Sequence, residues 1–249
     1  MRDRQQFVIG AVLCASTVLC WLWIVPMARD MYGPMTGPSA WMMTGTWDAR
    51  FVLLLWAMWA VMMAGMMLPS AASMLLLYAT LARRGAAARP RVPLVYAAAG
   101  GYLLVWIAFS AAATLVQRIF SALLLITPMM AISSPKAGGA LLGLAGIYQF
   151  TPLKLTCLGV CRSPLSFLMQ HWRAGAAGAF VLGLRHGLYC LGCCWALMLL
   201  LFVGGVMNLW VIVALTLFVL VEKLAPFGEH SSRLAGATLL VLGAWMCAR

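Results

Sequence analysis

Two cysteine clusters carry the densest chemistry in this chain: Cys157-Leu-Gly-Val-Cys161 and Cys190-Leu-Gly-Cys193-Cys194. Residues three or four apart share one face of a helix. At about 100° per residue, His186, Cys190, Cys193 and Cys194 fall within an arc of roughly 100°. Gly183 and Gly187 border that arc, and small residues let a neighbouring helix come close. Thiols beside such a groove reach ligands on the neighbour. Thiolates prefer Cu(I), Zn(II) or iron–sulfur clusters, and four ligands from two helices satisfy a tetrahedral site. The candidate metal ligands are therefore Cys157, Cys161, His186, Cys190, Cys193 and Cys194, with copper favoured and zinc the alternative. Two other readings stay open. The thiols could cycle as a redox pair, or they could be small buried hydrophobes, the reading that suits Cys14, Cys20 and Cys247.

A second pattern runs along the segment from Phe51 to Ala82. Relative to Met62, Met58 lies near −40°, Met66 near +40°, Met63 near 100°, Met74 near 120° and Met67 near 140°; Ser73 and Ser70 fall inside that arc, at about 20° and 80°. Met62 and Met66 join the metal candidates, because thioethers select Cu(I). Packing is the competing use of methionine. Pro69 frees the carbonyl of Gly65, which needs a partner in lipid, so this face is expected against protein or a wet cavity. Met27, Met31, Met35, Met42 and Met43 add thioethers in the preceding loop.

Other polar groups lie at the ends of apolar runs. Lys154 is expected to extend to headgroups, or to neutralise thiolates near Cys157. Glu222 and Lys223 are expected to pair with each other. There is no Walker A motif, HExxH or nucleophile elbow, so a hydrolase or ATP-driven pump has no support, and no catalytic residue is assigned.

The elements that must position these groups follow from composition. Of 249 residues, 65% are hydrophobic and 9% charged, against about 45–50% and 25% in soluble domains. Such a chain suits lipid, where apolar side chains face outward. Seven spans are expected, in one membrane domain over residues 1–249: Phe7–Val25, Phe51–Ala82, Val92–Val116 (continuing toward Thr127), Ala137–Leu155, a fifth ending near Val203, Val206–Val221 and Leu234–Cys247. The first is read as a span, since no clean cleavage site follows it. The loop from Thr156 to Arg173 is of mixed polarity, and Gly204-Gly205 with Asn208 mark a break.

The net charge of +12 sits in short groups between apolar runs, which points to cytoplasmic loops and not to nucleic acid. With the N-terminus inside, Arg2, Arg4, Arg83, Arg84, Arg89, Arg91, Lys154, Arg162, Arg173, Lys223 and Arg233 lie inside. They outnumber Arg29, Arg50, Arg118, Lys136 and Arg249 outside. The fold class is thus an all-α transmembrane bundle, N-in and C-out. Arg185 is costly at mid-membrane. Placed at the inner boundary, it leaves His186–Val203 to cross and brings both thiol clusters to the cytoplasmic side.

The stretch from Tyr148 to Lys223 resembles a bacterial family of predicted metal-binding integral membrane proteins, a domain of otherwise unknown function. The resemblance rests on Thr151-Pro152-Leu153-Lys154, Cys157 to Cys161 with Arg162-Ser163-Pro164, and His186-Gly187. It continues in Tyr189-Cys190-Leu191-Gly192-Cys193-Cys194-Trp195, Gly205-Val206-Met207-Asn208 and Glu222-Lys223. Met62-Met63-Ala64-Gly65-Met66-Met67-Leu68-Pro69 upstream is also similar. The resemblance implies metal binding and fixes neither metal nor activity. The expected function is soft-metal handling or transport with the bilayer as partner. The rivals are a membrane thiol redox or electron-transfer protein, and a non-catalytic accessory subunit of a larger membrane complex.

Overall fold

The computed structural model describes residues 2–33, 35–37, 39–43, 47–82, 91–127 and 129–249. Arg83, Arg84, Arg89 and Pro128 lie outside the described residues, as do the side chains of Arg2, Arg4, Met43 and Arg91. Ten α-helices follow in order: α1 Arg2–Met31, α2 Ala49–Leu81, α3 Arg91–Ala122, α4 Pro135–Tyr148, α5 Pro152–Arg162, α6 Pro164–His171, α7 Gly175–Met198, α8 Leu200–Gly204, α9 Leu209–Leu224 and α10 Gly228–Cys247. A short 3-10 turn spans Ala40–Met43.

Among the described residues, four stretches are long and apolar enough to cross a membrane: Gln6–Met31, Ala49–Leu81, Val92–Ala122 and Gly175–Gly204. Helices α4 and α5 make a fifth when taken together, although they meet at 63°. The apolar run expected as one straight span from Ala137 to Leu155 is therefore two helices. The bend has a local cause. Proline bars the preceding residue from the α conformation, and Thr151, before Pro152, is extended and caps α5 by accepting from Lys154 N. The loop expected from Thr156 to Arg173 is instead mostly helix, as the end of α5 and all of α6.

At the other end of the chain the break falls where the composition placed it. Gly205 takes φ +92°, a conformation that favours glycine, and Asn208 caps α9 by accepting from Trp210 N at 3.1 Å. Helix α1 runs on through Pro26 to Met31, so Met27 and Met31 are helical, not loop residues. Both are buried.

Close helix approach is built from glycine. A Cβ on Gly183 would overlap the Ala98 carbonyl of α3, and one on Gly101 would overlap the Phe180 carbonyl of α7. These two positions set α3 and α7 side by side, as the small residues bordering the thiol arc imply. Gly139 plays the same part between α4 and α10, facing Gly243 and Cys247. Helix α2 completes the core with Met58, Met62, Met63, Met66, Met67 and Met74, each wholly buried. Its freed Gly65 carbonyl accepts from Trp21 Nε1 at 3.2 Å, so the bond lost at Pro69 is replaced by α1. Ser73 is exposed and leaves the face; the even helical step accumulates error over the three turns from Met62. Cys14 and Cys247 are exposed, which corrects the expectation of buried packing residues at those two positions, while Cys20 is half-buried and packs against the core. In a chain this apolar, small apolar side chains occupy outward faces as readily as the core.

Candidate metal centre

The two cysteine clusters meet. Helix α5 lies against α7, and a Cβ on Gly192 would stand 2.7 Å from Cys157 Sγ. One turn further along α5, Cys161 comes within electrostatic reach of Cys193. Cys190 and Cys194 neighbour Cys193 on α7. All five clustered cysteines are buried and none is in a disulfide. The helical spacing explains the inward aim of the α7 thiols: Cys193 Sγ and Cys194 Sγ donate to the carbonyl of Cys190, three and four residues back, at 3.0 and 2.9 Å.

Two partners reach Cys190 from other helices. Tyr102 OH of α3 lies 3.0 Å from its Sγ and 3.0 Å from the carbonyl of Met67 in α2. Lys223 Nζ of α9 lies 2.9 Å from the same sulfur and 3.1 Å from Ser70 Oγ. Ser70 donates its own hydroxyl hydrogen to the Met67 carbonyl at 2.9 Å, so its oxygen is free to accept from the ammonium. Four helices thus converge on one thiol.

The neighbouring charge is handled separately. Glu222 accepts both contacts from Lys154 Nζ, each at 2.9 Å, with the side chains 1% and 0% exposed. Ser232, close to Glu222, donates to Gln149 Oε1 at 3.0 Å. Two sequence expectations are corrected here. Lys154 does not extend to the surface, and Glu222 does not pair with Lys223. Consecutive helix residues do not face each other, so Glu222 turns to α5 while Lys223 turns to α7. Burial then decides the outcome, because an ion leaves water only when a partner meets it. The charge beside the thiols comes from Lys223 and not from Lys154.

His186 lies on the same α7 face, one turn before Cys190, between the rings of Tyr102 and Phe167 at 5.9 and 5.3 Å. It is 3% exposed, and its Nδ1 has no hydrogen-bond partner. A buried ring nitrogen without a partner is unusual, and a soft cation is one group that would satisfy it. Met62 and Met66 are buried on α2 with no polar contact that ties them to the thiols. As the side chains stand, no three His, Cys, Asp or Glu groups among the described residues converge to enclose a metal ion; the thiols turn to one another and to the Cys190 carbonyl. The donor set still suits a soft ion that needs few ligands, since thiols that already touch need only rotate.

Tyr102 and Ser70 were not singled out as partners of the site by sequence. Ser70 had a signal, since it shares the methionine face. Tyr102 had a weaker one, as a polar ring beside Gly100-Gly101.

Comparison with known proteins adds the chemistry. Neither the curated proteins nor the solved structures yield a match to this chain. A protein-family model described as PpoB2, copper chaperone, matches residues 56–246. That range runs from within α2 through nearly all of α10, and takes in every thiol of the two clusters, Tyr102 and Lys223. The chain belongs to the PpoB2 copper chaperone family.

Proposed function

We propose that this chain is an integral membrane protein that takes up Cu(I) on Cys161, Cys190, Cys193 and Cys194 and passes it to an acceptor. The observation that carries this reading is the meeting of Cys161 from α5 with Cys193 from α7, inside an apolar core, in a chain of a copper chaperone family. Soft thiolates favour Cu(I) over harder cations. His186 and Cys157 flank the thiols and serve as further ligands during uptake or release. Met62 and Met66 offer weaker thioether sites along α2, suited to an ion that must move on.

In this reading seven segments cross a bacterial inner membrane as one domain: α1, α2, α3, the bent pair α4–α5, α7 with α8, α9 and α10. The excess of basic residues on alternate connections supports N-in and C-out. The bent pair and the 16-residue α9 are short for a bilayer of about 30 Å. Glu222 and Lys223 then lie at the end of α9, on the cytoplasmic side, and Lys154 lies just past the bend between α4 and α5.

The test is metal analysis of intact protein purified anaerobically and loaded with Cu(I). Wild type should retain an equimolar amount through a chelator wash, and the Cys161→Ser/Cys193→Ser variant should lose it while keeping its helix content. Unchanged copper in that variant refutes the site. A disulfide that forms and breaks reversibly between these thiols, with no metal retained, would favour a redox protein instead.

A further inference from the structure

We propose that Lys223 is the counter-ion of the thiol site, and that its buried ammonium selects a univalent soft cation held by two thiolates over a divalent one held the same way. The inference rests on the reading of the thiols as a soft-metal site and deepens it by assigning the charge of the cargo.

Lys223 brings an unbalanced charge to the thiols. Lys223 is 7% exposed, 2.9 Å from Cys190 Sγ and 3.1 Å from Ser70 Oγ. The carboxylate next to it in sequence is not available, because both Glu222 oxygens are taken by Lys154. The ionisable groups that face the ammonium are Cys190, Cys193, Cys194 and Tyr102, with Cys161 and His186 just beyond. None of these is a carboxylate. A buried charge without a counter-charge is costly, so the pocket around Lys223 favours whatever brings a single negative charge to the sulfurs.

A univalent soft ion does this. When Cu(I) or Ag(I) binds two of the thiols, both lose their protons to solvent. Two sulfur–metal bonds form, and the complex carries one negative charge. With the ammonium the site is neutral, and no electron is transferred. Hg(II) takes the same two-coordinate arrangement on the same two thiolates, but that complex is itself neutral. The ammonium is then left unbalanced. The two ions differ by one charge in one geometry, which isolates what Lys223 contributes. At separations of about 4–5 Å and an effective dielectric near 20, one unit of charge changes the preference on the order of 100-fold or more.

The experiment is competition between Ag(I) and Hg(II) for the full chain in detergent, against a thiol chelator, in wild type, Lys223→Gln, Lys223→Leu and Lys223→Arg. The expected result is an Ag(I)-to-Hg(II) preference that falls on the order of 100-fold in the Gln and Leu variants and is retained in the Arg variant. The Leu variant replaces a buried charge with an apolar group of similar size, a change that buried sites commonly tolerate, so one of the two neutral variants provides the readout if the other does not fold. A merely structural lysine would weaken both ions equally, and that outcome, or an unchanged ratio, overturns the proposal. Wild-type protein that binds neither ion overturns both this inference and the copper reading. Wild type that binds both ions with a ratio insensitive to Lys223 overturns this inference alone.

Discussion

Replacing Glu222 by Gln tests whether the buried ion pair is what holds α5 against α9. The substitution keeps the shape and one hydrogen bond to Lys154 but removes the charge. The structure gives the magnitude by two routes. At 2.9 Å between nitrogen and oxygen, an effective dielectric of about 20 puts the attraction near 5–6 kcal/mol. Breaking a buried pair by removing one partner typically costs about 3–5 kcal/mol, because the remaining charge is stranded. For a chain of this size about 1 kcal/mol moves the melting temperature by roughly 2–4 °C, so Glu222→Gln should lower it by about 6–20 °C. The assay is loss of helical circular dichroism on heating in a fixed detergent. The double variant Lys154→Met/Glu222→Leu is the control: with both charges gone nothing is stranded, and most of the loss should be recovered. A single variant that melts within a degree or two of wild type, or a double variant no better than the single, would show that the pair does not carry the packing assigned to it.

Two further outcomes follow from contacts elsewhere in the fold. Adjacent glycines on α3 should behave oppositely: Gly101→Ala places a Cβ into the Phe180 carbonyl and should cost about 1–3 kcal/mol or more, while Gly100→Ala meets nothing within 4 Å and should be neutral or stabilising by up to about 1 kcal/mol, both read by thermal melting. Trp59→Phe removes the indole donor that Gln117 Oε1 accepts at 2.8 Å in the core and should cost about 1–3 kcal/mol; adding Gln117→Leu should recover part of that, and no recovery would mean that the cost lies in packing against Phe202.

How much of this was legible in the sequence depends on whether a feature is local. The thiol arc on α7 needed only the helical step, and His186, Cys190, Cys193 and Cys194 do share a buried face. The close approach at Gly183, the break at Gly205 and the cap at Asn208 are likewise set by single residues. The bend at Thr151-Pro152 is within reach of the sequence, since proline restricts the residue before it, yet the apolar run across it has the pattern of one continuous span. The partners of Lys154 and Lys223 were not legible. A lysine near the end of a span can extend to water, and only the placement of α9 against both α5 and α7 removes that option. The outward face of Cys14 is also hidden, because in so apolar a chain hydrophobicity alone does not tell core from rim.

The adjacent pair Glu222-Lys223 gives α9 its role in the site. Successive residues project about 100° apart, so one helix addresses two neighbours at one level. Glu222 fixes α5 through Lys154, and α5 carries Cys161. Lys223 fixes the Cys190 sulfur of α7, and α7 carries Cys193. The contact between Cys161 and Cys193 is therefore bridged from behind by two charged contacts on consecutive residues of a third helix. Because the first is neutralised within its own pair, it can position α5 without adding charge to the site. Because the second is not, it contributes a positive charge at the sulfurs. An apolar pair at these positions would still fill the space between α5 and α7, but it would leave the thiols to pack as ordinary small hydrophobes. Two buried lysines with one carboxylate leave a single positive charge beside the thiol cluster, and it is on this imbalance, more than on the number of cysteines, that the proposed anionic thiolate complex rests.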